Sequence, residues 1–366
     1  MRIVYVLTSL GMGGAERQVL SLAQRMADNG HVVALLVLRP PLDEEWPTNL
    51  EVFRLNMYRT PLSVLAGLER GRRFLRRFRP DVVHSHGFHG NFIARMLRFT
   101  GSAPRTISTI HNFYEGGWRR MLAYRLTDPL SLRTTAVSQA AADRFVRLKA
   151  VPRRKCGVLF NGIDVAEFFP STERREAMRA QLKVDNQFVW LSVGRIVPAK
   201  DYPNLLAAFA HVRAVEAGVQ LWIAGEADAA EAAHMQALTA DQAWGGSVRW
   251  LGLRRDLPAL LDASDAFVLG SAWEGMPLAA GEAMAMEKPV VATDAGGTGE
   301  LLGEAGVVVP PRNASALAAA MLAMMRMTAA ERLALGRLAR ERICARFSME
   351  SKASEWEALY KSVLKN

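Results

Sequence analysis

Cysteine is nearly absent from this chain: the 366 residues hold two, Cys156 and Cys344, far apart and without metal-ligand spacing. That excludes a disulfide framework and a thiolate metal cluster, and leaves two ordinary reduced thiols. Long hydrophobic runs are missing too. The longest early one, Ile3 to Leu10, stops after eight residues at Gly11-Met12-Gly13-Gly14, too short to span a bilayer, and reads as a buried first strand. Only Arg2 precedes it and no small-residue cleavage site follows, so no secretory signal is expected and a cytoplasmic location is inferred. Aromatic residues make up 8%, and no stacking ladder or recognition motif accompanies the basic residues, which argues against a nucleic-acid partner.

What is present is charge of one sign in one half. Residues 1–165 carry 25 Lys and Arg against 12 Asp and Glu, a balance of +13, whereas residues 166–366 carry 21 against 24, a balance of −3. Within residues 64–79, Leu65, Leu68, Leu75 and Phe78 recur at helical spacing while Arg70, Arg72, Arg73, Arg76, Arg77 and Arg79 crowd the other faces. A basic amphipathic segment of this kind points to an anionic membrane surface, with the protein peripheral on the inner face of the cytoplasmic membrane. The competing expectation is that such a helix covers its own sheet, burying Leu75 and Phe78 and leaving only arginines to meet lipid.

Half the residues are apolar, and the length favours two domains. Short apolar runs alternate with amphipathic stretches, the mark of parallel sheets covered by helices on both faces. Strands are expected at Arg2–Leu7, His31–Leu38, Asp81–His84, Arg105–Ile110 and Arg133–Val137, with helices around 15–28, 63–78, 89–98 and 139–147. A second series follows at Phe188–Val193, Val219–Ala224, Val248–Leu251, Ala266–Leu269, Pro289–Ala292 and Val307–Val309. Turn formers from Val158 to Thr172 separate the two series. Expected domains are therefore 1–165 and 166–346, with residues 347–366 a last helix, capped by Ser348, that packs back on the first domain. The fold class is α/β, two Rossmann-like sheets facing across a cleft lined by strand-to-helix loops.

Several of those loops carry chemistry. Gly11-Met12-Gly13-Gly14 opens a helix directly after the first strand, so Gly13 and Gly14 let backbone N–H groups approach an anion; a tight packing turn is the equal alternative. A dinucleotide fingerprint would need a small residue at Glu16 and an acid where Arg39 stands. After the strand ending at Leu269 comes Ser271-Ala-Trp-Glu274-Gly275-Met276-Pro277-Leu278-Ala-Ala-Gly-Glu282, in which Gly275, Met276, Pro277 and Leu278 form a helix start and Glu282 follows one turn on. Any two glutamates are more often solvated surface acids, and the sequence around this pair shifts that weighting.

The run from Glu274 to Glu282, continued by Glu287-Lys-Pro-Val-Val-Ala-Thr and Gly296-Gly297-Thr298-Gly299-Glu300, resembles the Glu-x7-Glu signature of the fourth glycosyltransferase family, retaining enzymes of the GT-B architecture. Gly13-Gly14-Ala15-Glu16, Asp81-Val-Val-His84-Ser-His86, Val137-Ser138, Asn161-Gly162-Ile163-Asp164 and Ser192-Val-Gly194-Arg195-Ile-Val-Pro-Ala-Lys200-Asp201 resemble further family marks in the same order, over nearly the whole chain. The resemblance implies a nucleoside-diphosphate sugar donor, uridine expected over guanosine as the base, a glycan or lipid-linked acceptor, and no cofactor or metal. It further implies that Gly194, Arg195 and Lys200 hold the diphosphate, Glu282 the ribose, and Glu274 a sugar hydroxyl. His111 would lie against the transferred sugar, with His86 and Asn161 lining the cleft. No Asp-x-Asp occurs, so the metal-ligand pair of the alternative GT-A class is missing. His84, His86 and His89 lack a fourth ligand and match no zinc spacing. The competing readings are a sugar-nucleotide epimerase of the same architecture and a basic membrane-peripheral protein with a decayed donor site.

Overall fold

The computed structural model describes residues 1–184, 186–226, 233, 235, 237, 239–240, 242 and 244–365. They form two compact units, residues 1–162 with 349–366, and residues 163–348.

Unit 1 is wound around a seven-stranded parallel sheet of order β3-β2-β1-β4-β5-β6-β7. Its strands are β1 (Arg2–Leu7), β2 (Val32–Val37), β3 (Glu51–Arg54), β4 (Val82–His86), β5 (Thr106–Ile110), β6 (Arg133–Ala136) and β7 (Cys156–Val158). The central strands are apolar at nearly every position because both faces are covered. On β1, Ile3, Tyr5 and Leu7 join the core beneath helices α1 (Gly14–Asp28) and α13 (Met349–Lys365), while Val4 and Val6 join the core beneath α2 (Pro61–Phe78) and α3 (Gly87–Phe99). Helices α4 (Trp118–Thr127) and α5 (Gln139–Arg147) close the far end over Ile110 and Ala136.

Helix α13 carries polar groups into that core. The Tyr360 hydroxyl shares hydrogen bonds with Tyr5 Oη (3.1 Å) and His84 Nδ1 (2.7 Å), and His84 Nε2 meets Thr109 Oγ1 at 2.7 Å. The chain of bonds ends on Thr135 Oγ1, 2.8 Å from Thr109, so it runs from the last helix across β1, β4, β5 and β6. Burial holds the His84 imidazole neutral, far below its ordinary titration range. The ring is thereby fixed as one donor and one acceptor.

Unit 2 repeats the winding on a six-stranded parallel sheet, order β10-β9-β8-β11-β12-β13. Its strands are β8 (Phe188–Val193), β9 (Val219–Ala224), β10 (Val248–Gly252), β11 (Ala266–Leu269), β12 (Val290–Thr293) and β13 (Val307–Val309). The described helices are α6 (Thr172–Gln181), α7 (Tyr202–Val215), α8 (Leu257–Ala263), α9 (Leu278–Ala285), α10 (Thr298–Leu302), α11 (Ala314–Arg326) and α12 (Ala329–Arg346). The stretch between β9 and β10 lies largely outside the described residues. In each sheet the strand order reverses once, between β1 and β4 and between β8 and β11, and such reversals are where wound sheets take ligands.

Three elements differ from the sequence expectation. Strands β3 and β7 and helix α4 appear where none was expected; both strands are short, only partly buried and at sheet edges, so they carry little periodic signal. After Ala314 the chain forms two helices, α11 and α12, divided at Met327-Thr328, where Thr328 and Glu331 form a reciprocal capping box.

Candidate functional site

In unit 2 the reversal point is built from the loops that leave β8, β11 and β12. The β8 loop begins at Gly194, whose carbonyl accepts a 2.7 Å bond from the buried Tyr202 hydroxyl, and turns back so that the Lys200 stem lies on Gly194. A Cβ at Gly194 would stand 2.9 Å from Lys200 Cε, so a larger residue there would displace the lysine stem. The β11 loop is stitched to it by the Ala272 N–H donating to Ala199 O at 2.8 Å. The β12 loop joins through Thr293 Oγ1 donating to Ser271 O at 2.6 Å and the Gly297 N–H donating to Gly275 O at 3.2 Å.

Two groups separated by 74 residues meet on this frame. Lys200 Nζ donates to Glu274 Oε1 at 2.6 Å, and Ser271 Oγ donates to the same oxygen at 2.6 Å. Side-chain exposures of 18% and 12% leave the pair shielded but in reach of solvent. An ammonium has three N–H donors, and this contact engages one. Arg195 is exposed and makes no hydrogen bond or ion pair with the described residues. Gly275, Met276 and Pro277 are buried; Pro277 is the N-cap rather than the first residue of α9, which starts at Leu278. Glu282, 7% exposed, sits on the second turn of α9. All the sequence-predicted residues of the second half except Arg195 are thus at least partly buried, on loops tied to one another or on the first turns of α9.

Unit 1 contrasts in chemistry. Gly13 is the N-cap of α1, and the carboxylate set against it is the chain's own Glu16, so close that a Cβ on Gly13 would collide with Glu16 Oε2. Gly14 opens the helix and is exposed. Asn161 is buried at the end of the first stretch of unit 1. At the carboxyl ends of β4 and β5, His86 Nδ1 and His111 Nε2 share a 2.9 Å hydrogen bond, both residues being buried. Burial lowers the His111 pKa to about 4 and also pushes His86 well below its ordinary value, so both rings are neutral near pH 7. His89 is exposed, and among the described residues no three His, Cys, Asp or Glu side chains are grouped to hold a metal.

The sequence assigns no role to Glu115, Tyr124 or Ser271, although Ser271 opens the loop that carries Glu274. Glu115 lies in the loop after β5; its Oε1 accepts from the His111 N–H at 3.2 Å and its Oε2 from the Tyr124 hydroxyl at 2.6 Å. Its carboxyl is pushed up to about 7, by burial first, against the opposing pull of those donors and of Arg120. The one available signal was position, since an acid just past the carboxyl end of an inner strand falls where wound sheets keep their functional groups.

Comparison with known proteins adds a family frame to this geometry. A model described as glycosyltransferase family 4 matches residues 12–167, and one described as glycosyl transferases group 1 matches residues 187–327. A glycogen synthase of Mycobacterium tuberculosis is 31% identical over 306 residues, 78% of this chain and 69% of that protein. An Escherichia coli UDP-Gal:α-D-GlcNAc-diphosphoundecaprenol α-1,3-galactosyltransferase is 27% identical over 236 residues, 62% of this chain; the chain spans 60% of its length. Among solved structures, Anabaena HepE in complex with UDP-glucose superposes with a TM-score of 0.86 at 20% identity, covering 99% of this chain and 100% of that one.

Proposed function

The chain belongs to glycosyltransferase family 4, with the two parallel-sheet domains of the GT-B architecture, and from that premise we propose that it moves a sugar, with retention, from a nucleoside diphosphate to a glycan or lipid-linked acceptor in cell-surface polysaccharide or glycolipid synthesis. The observation that carries this reading is the Lys200–Glu274–Ser271 cluster at the strand-order reversal of unit 2. Unit 2 is read as the donor unit and unit 1 as the acceptor unit. UDP is read as the carrier, a choice supported by the UDP-Gal of the galactosyltransferase and the UDP-glucose held by HepE.

The chemistry follows from charge. A departing diphosphate gathers negative charge, and fixed cations already in place stabilise it without reorganising solvent. Arg195 offers a guanidinium fork suited to phosphate oxygens, and Lys200 has N–H donors beyond the one given to Glu274. The N-terminus of α9 adds its dipole. Glu282 takes the ribose hydroxyls and Glu274 a hydroxyl of the sugar, while Gly194 and Gly275 to Leu278 shape the loops around them. Gly13 and Gly14 are read as donor-binding, their backbone N–H groups turned to the donor's phosphates, His86 and Asn161 line the site, and His111 contacts the transferred sugar. The leaving phosphate deprotonates the acceptor on the face it departs from, the route to retention that needs no carboxylate nucleophile.

The test is a contrast between the two glutamates. Glu282→Ala should weaken binding of UDP itself, whereas Glu274→Ala should leave UDP affinity near wild type and slow sugar turnover. Equal losses of UDP affinity in both variants would overturn the assignment.

An anionic membrane surface is proposed as a partner of unit 1. On α2, Leu75 and Phe78 are buried and Arg72 and Arg73 are paired with Glu69, which leaves Arg76, Arg77 and Arg79 exposed at the C-terminal end of the helix and Leu62 and Leu65, at 81% and 63% exposure, exposed at its start. Helix α4 adds Trp118, Leu122 and Leu126 in one exposed stripe between Arg119 and Arg125, next to a cavity of about 340 Å³. Among the described residues no helix is long and apolar enough to cross a membrane. Co-sedimentation with vesicles of anionic lipid at low salt, absent with neutral lipid, supports the surface; no sedimentation with anionic vesicles at low salt would sink it.

A further inference from the structure

We propose that Glu115 is a positioning residue for His111: its carboxylate, clamped by Tyr124, fixes the turn that presents His111 at the end of β5, and turnover runs through the ionised clamp. The inference rests on the reading of His111 as a residue that contacts the transferred sugar, and it names what regulates that residue.

The clamp is continuous. Ser85 on β4 donates to Asn91 Oδ1 at 2.8 Å, and Asn91 Nδ2 donates both to Thr109 O on β5 at 2.9 Å and to Tyr124 Oη at 3.0 Å. Tyr124, on α4, donates in turn to Glu115 Oε2, and Glu115 Oε1 receives the main-chain N–H of His111. The neighbouring Asn112 N–H also favours the ionised form of this carboxylate. His86 holds the other end of His111 by its ring nitrogen. Position and orientation of the imidazole are thus set by two contacts, one to the backbone and one to the ring.

The ionisation state matters because of donor counting. A carboxylate accepts from the Tyr124 hydroxyl and the His111 N–H together; a neutral acid must aim its O–H at one of these two donors. The hydroxyl of Tyr124 is the single member that could reverse, and it is buried with Asn91 already donating to it. Protonation therefore reverses the Tyr124 contact and takes from that hydroxyl the acceptor it donates to. The charged and titratable groups facing Glu115 are Tyr124 and Arg120 from α4, Arg95 from α3, and the neutral His111 with His86 behind it. Burial outweighs them and places the carboxyl at about 7, inside the working range of an enzyme.

The experiment pairs a structural probe with kinetics. The amide signal of His111 is followed by NMR in the free protein from about pH 5.5 to about 8.5, a range that brackets the expected midpoint. Hydrolysis of UDP-glucose, UDP-galactose and GDP-mannose is measured over the same range for wild type, Glu115→Gln, Tyr124→Phe and His111→Ala. In wild type the amide should titrate near pH 7 and kcat should rise with the same midpoint. Glu115→Gln, which cannot ionise, should abolish both titrations and hold kcat about tenfold below the alkaline wild-type value, with KM little changed. Tyr124→Phe removes a donor that favours the carboxylate, so its midpoint should move to higher pH. A folded Glu115→Gln protein that keeps the wild-type kcat profile, or a His111 amide that does not titrate, overturns the positioning role. If instead the amide titrates as expected while His111→Ala keeps full turnover, the reading of His111 is what fails, and the kinetic part of the proposal goes with it.

Discussion

The two units wind their sheets the same way and put opposite electrostatics at the reversal points. In unit 2 the strand ends carry a solvent-accessible ion pair, Lys200 with Glu274, on loops bound to one another by backbone hydrogen bonds. In unit 1 they carry neutral, buried imidazoles and a carboxyl raised to about 7, within a network of side-chain bonds. By units the charge runs the other way: unit 1 holds 28 Lys and Arg against 14 Asp and Glu, unit 2 holds 18 against 22. Net charge and site charge are therefore separate properties. The excess of unit 1 lies on its surface, as at Arg76, Arg77 and Arg79, while in unit 2 Arg174, Arg175 and Arg179 are paired with Asp262 and Asp265. Fold class sets where a site can be, and only the residues there set what it does.

The contrast can be broken most sharply at Lys200. Lys200→Ala removes a fixed cation and leaves Glu274 held by Ser271 alone, so kcat/KM should fall about 10²–10³-fold while the unfolding midpoint shifts little. A loss under about fivefold would deny unit 2 its charge-handling role. In unit 1 the expected signature is linkage to pH. Glu115 ionises near 4.5 in the unfolded chain and about 7 in the fold, so between those values the fold retains a proton the unfolded chain has lost, and stability falls as pH rises. Relative to Glu115→Gln, the wild type should lose roughly 3 kcal/mol between pH 4.5 and 7 by denaturant titration; a parallel pair of curves would refute the buried-acid account. Tyr360→Phe strips His84 Nδ1 and Tyr5 of their shared partner and should cost about 1–3 kcal/mol, with UDP affinity unchanged. A coupled loss of UDP affinity would show that the two chemistries are not separable. The smallest expected effect is none: excess EDTA should leave turnover intact, and a loss restored by manganese would place a metal where two cations and a helix end are proposed to act.

The parts legible in the sequence were those encoded locally. The inner strands Phe188–Val193 and Val290–Thr293 are largely apolar because both faces are covered, and that pattern needs no partner to be seen. Glu274 and Glu282 lie in one short run and were both visible. That Lys200 and Glu274 would share a hydrogen bond was not, since the fold alone brings positions 74 residues apart together. Glu115 was missed for a similar reason. A lone acid in a loop reads as solvated, and its meaning comes from Tyr124, Asn91 and His111, supplied by two helices and a strand end. The burial of Leu75 and Phe78 on α2 was one of two outcomes open to a basic amphipathic segment, and packing against the sheet decided it.

Helix α13 has a consequence for how the protein is made. The ribosome delivers residues 1–162 first, then residues 163–348 of unit 2, and last the helix that completes unit 1. At about 5–20 residues per second, the nascent first segment waits roughly 10–40 s before Tyr360 emerges. During that interval His84 and Tyr5 have no Tyr360 to bond, and the apolar surface of α1 that α13 will cover stands open to water and to other chains. Chaperones that hold unfolded chains act on such exposed surface, so nascent-chain stalling just before Met349 should leave unit 1 protease-sensitive, and release of the final helix should close it.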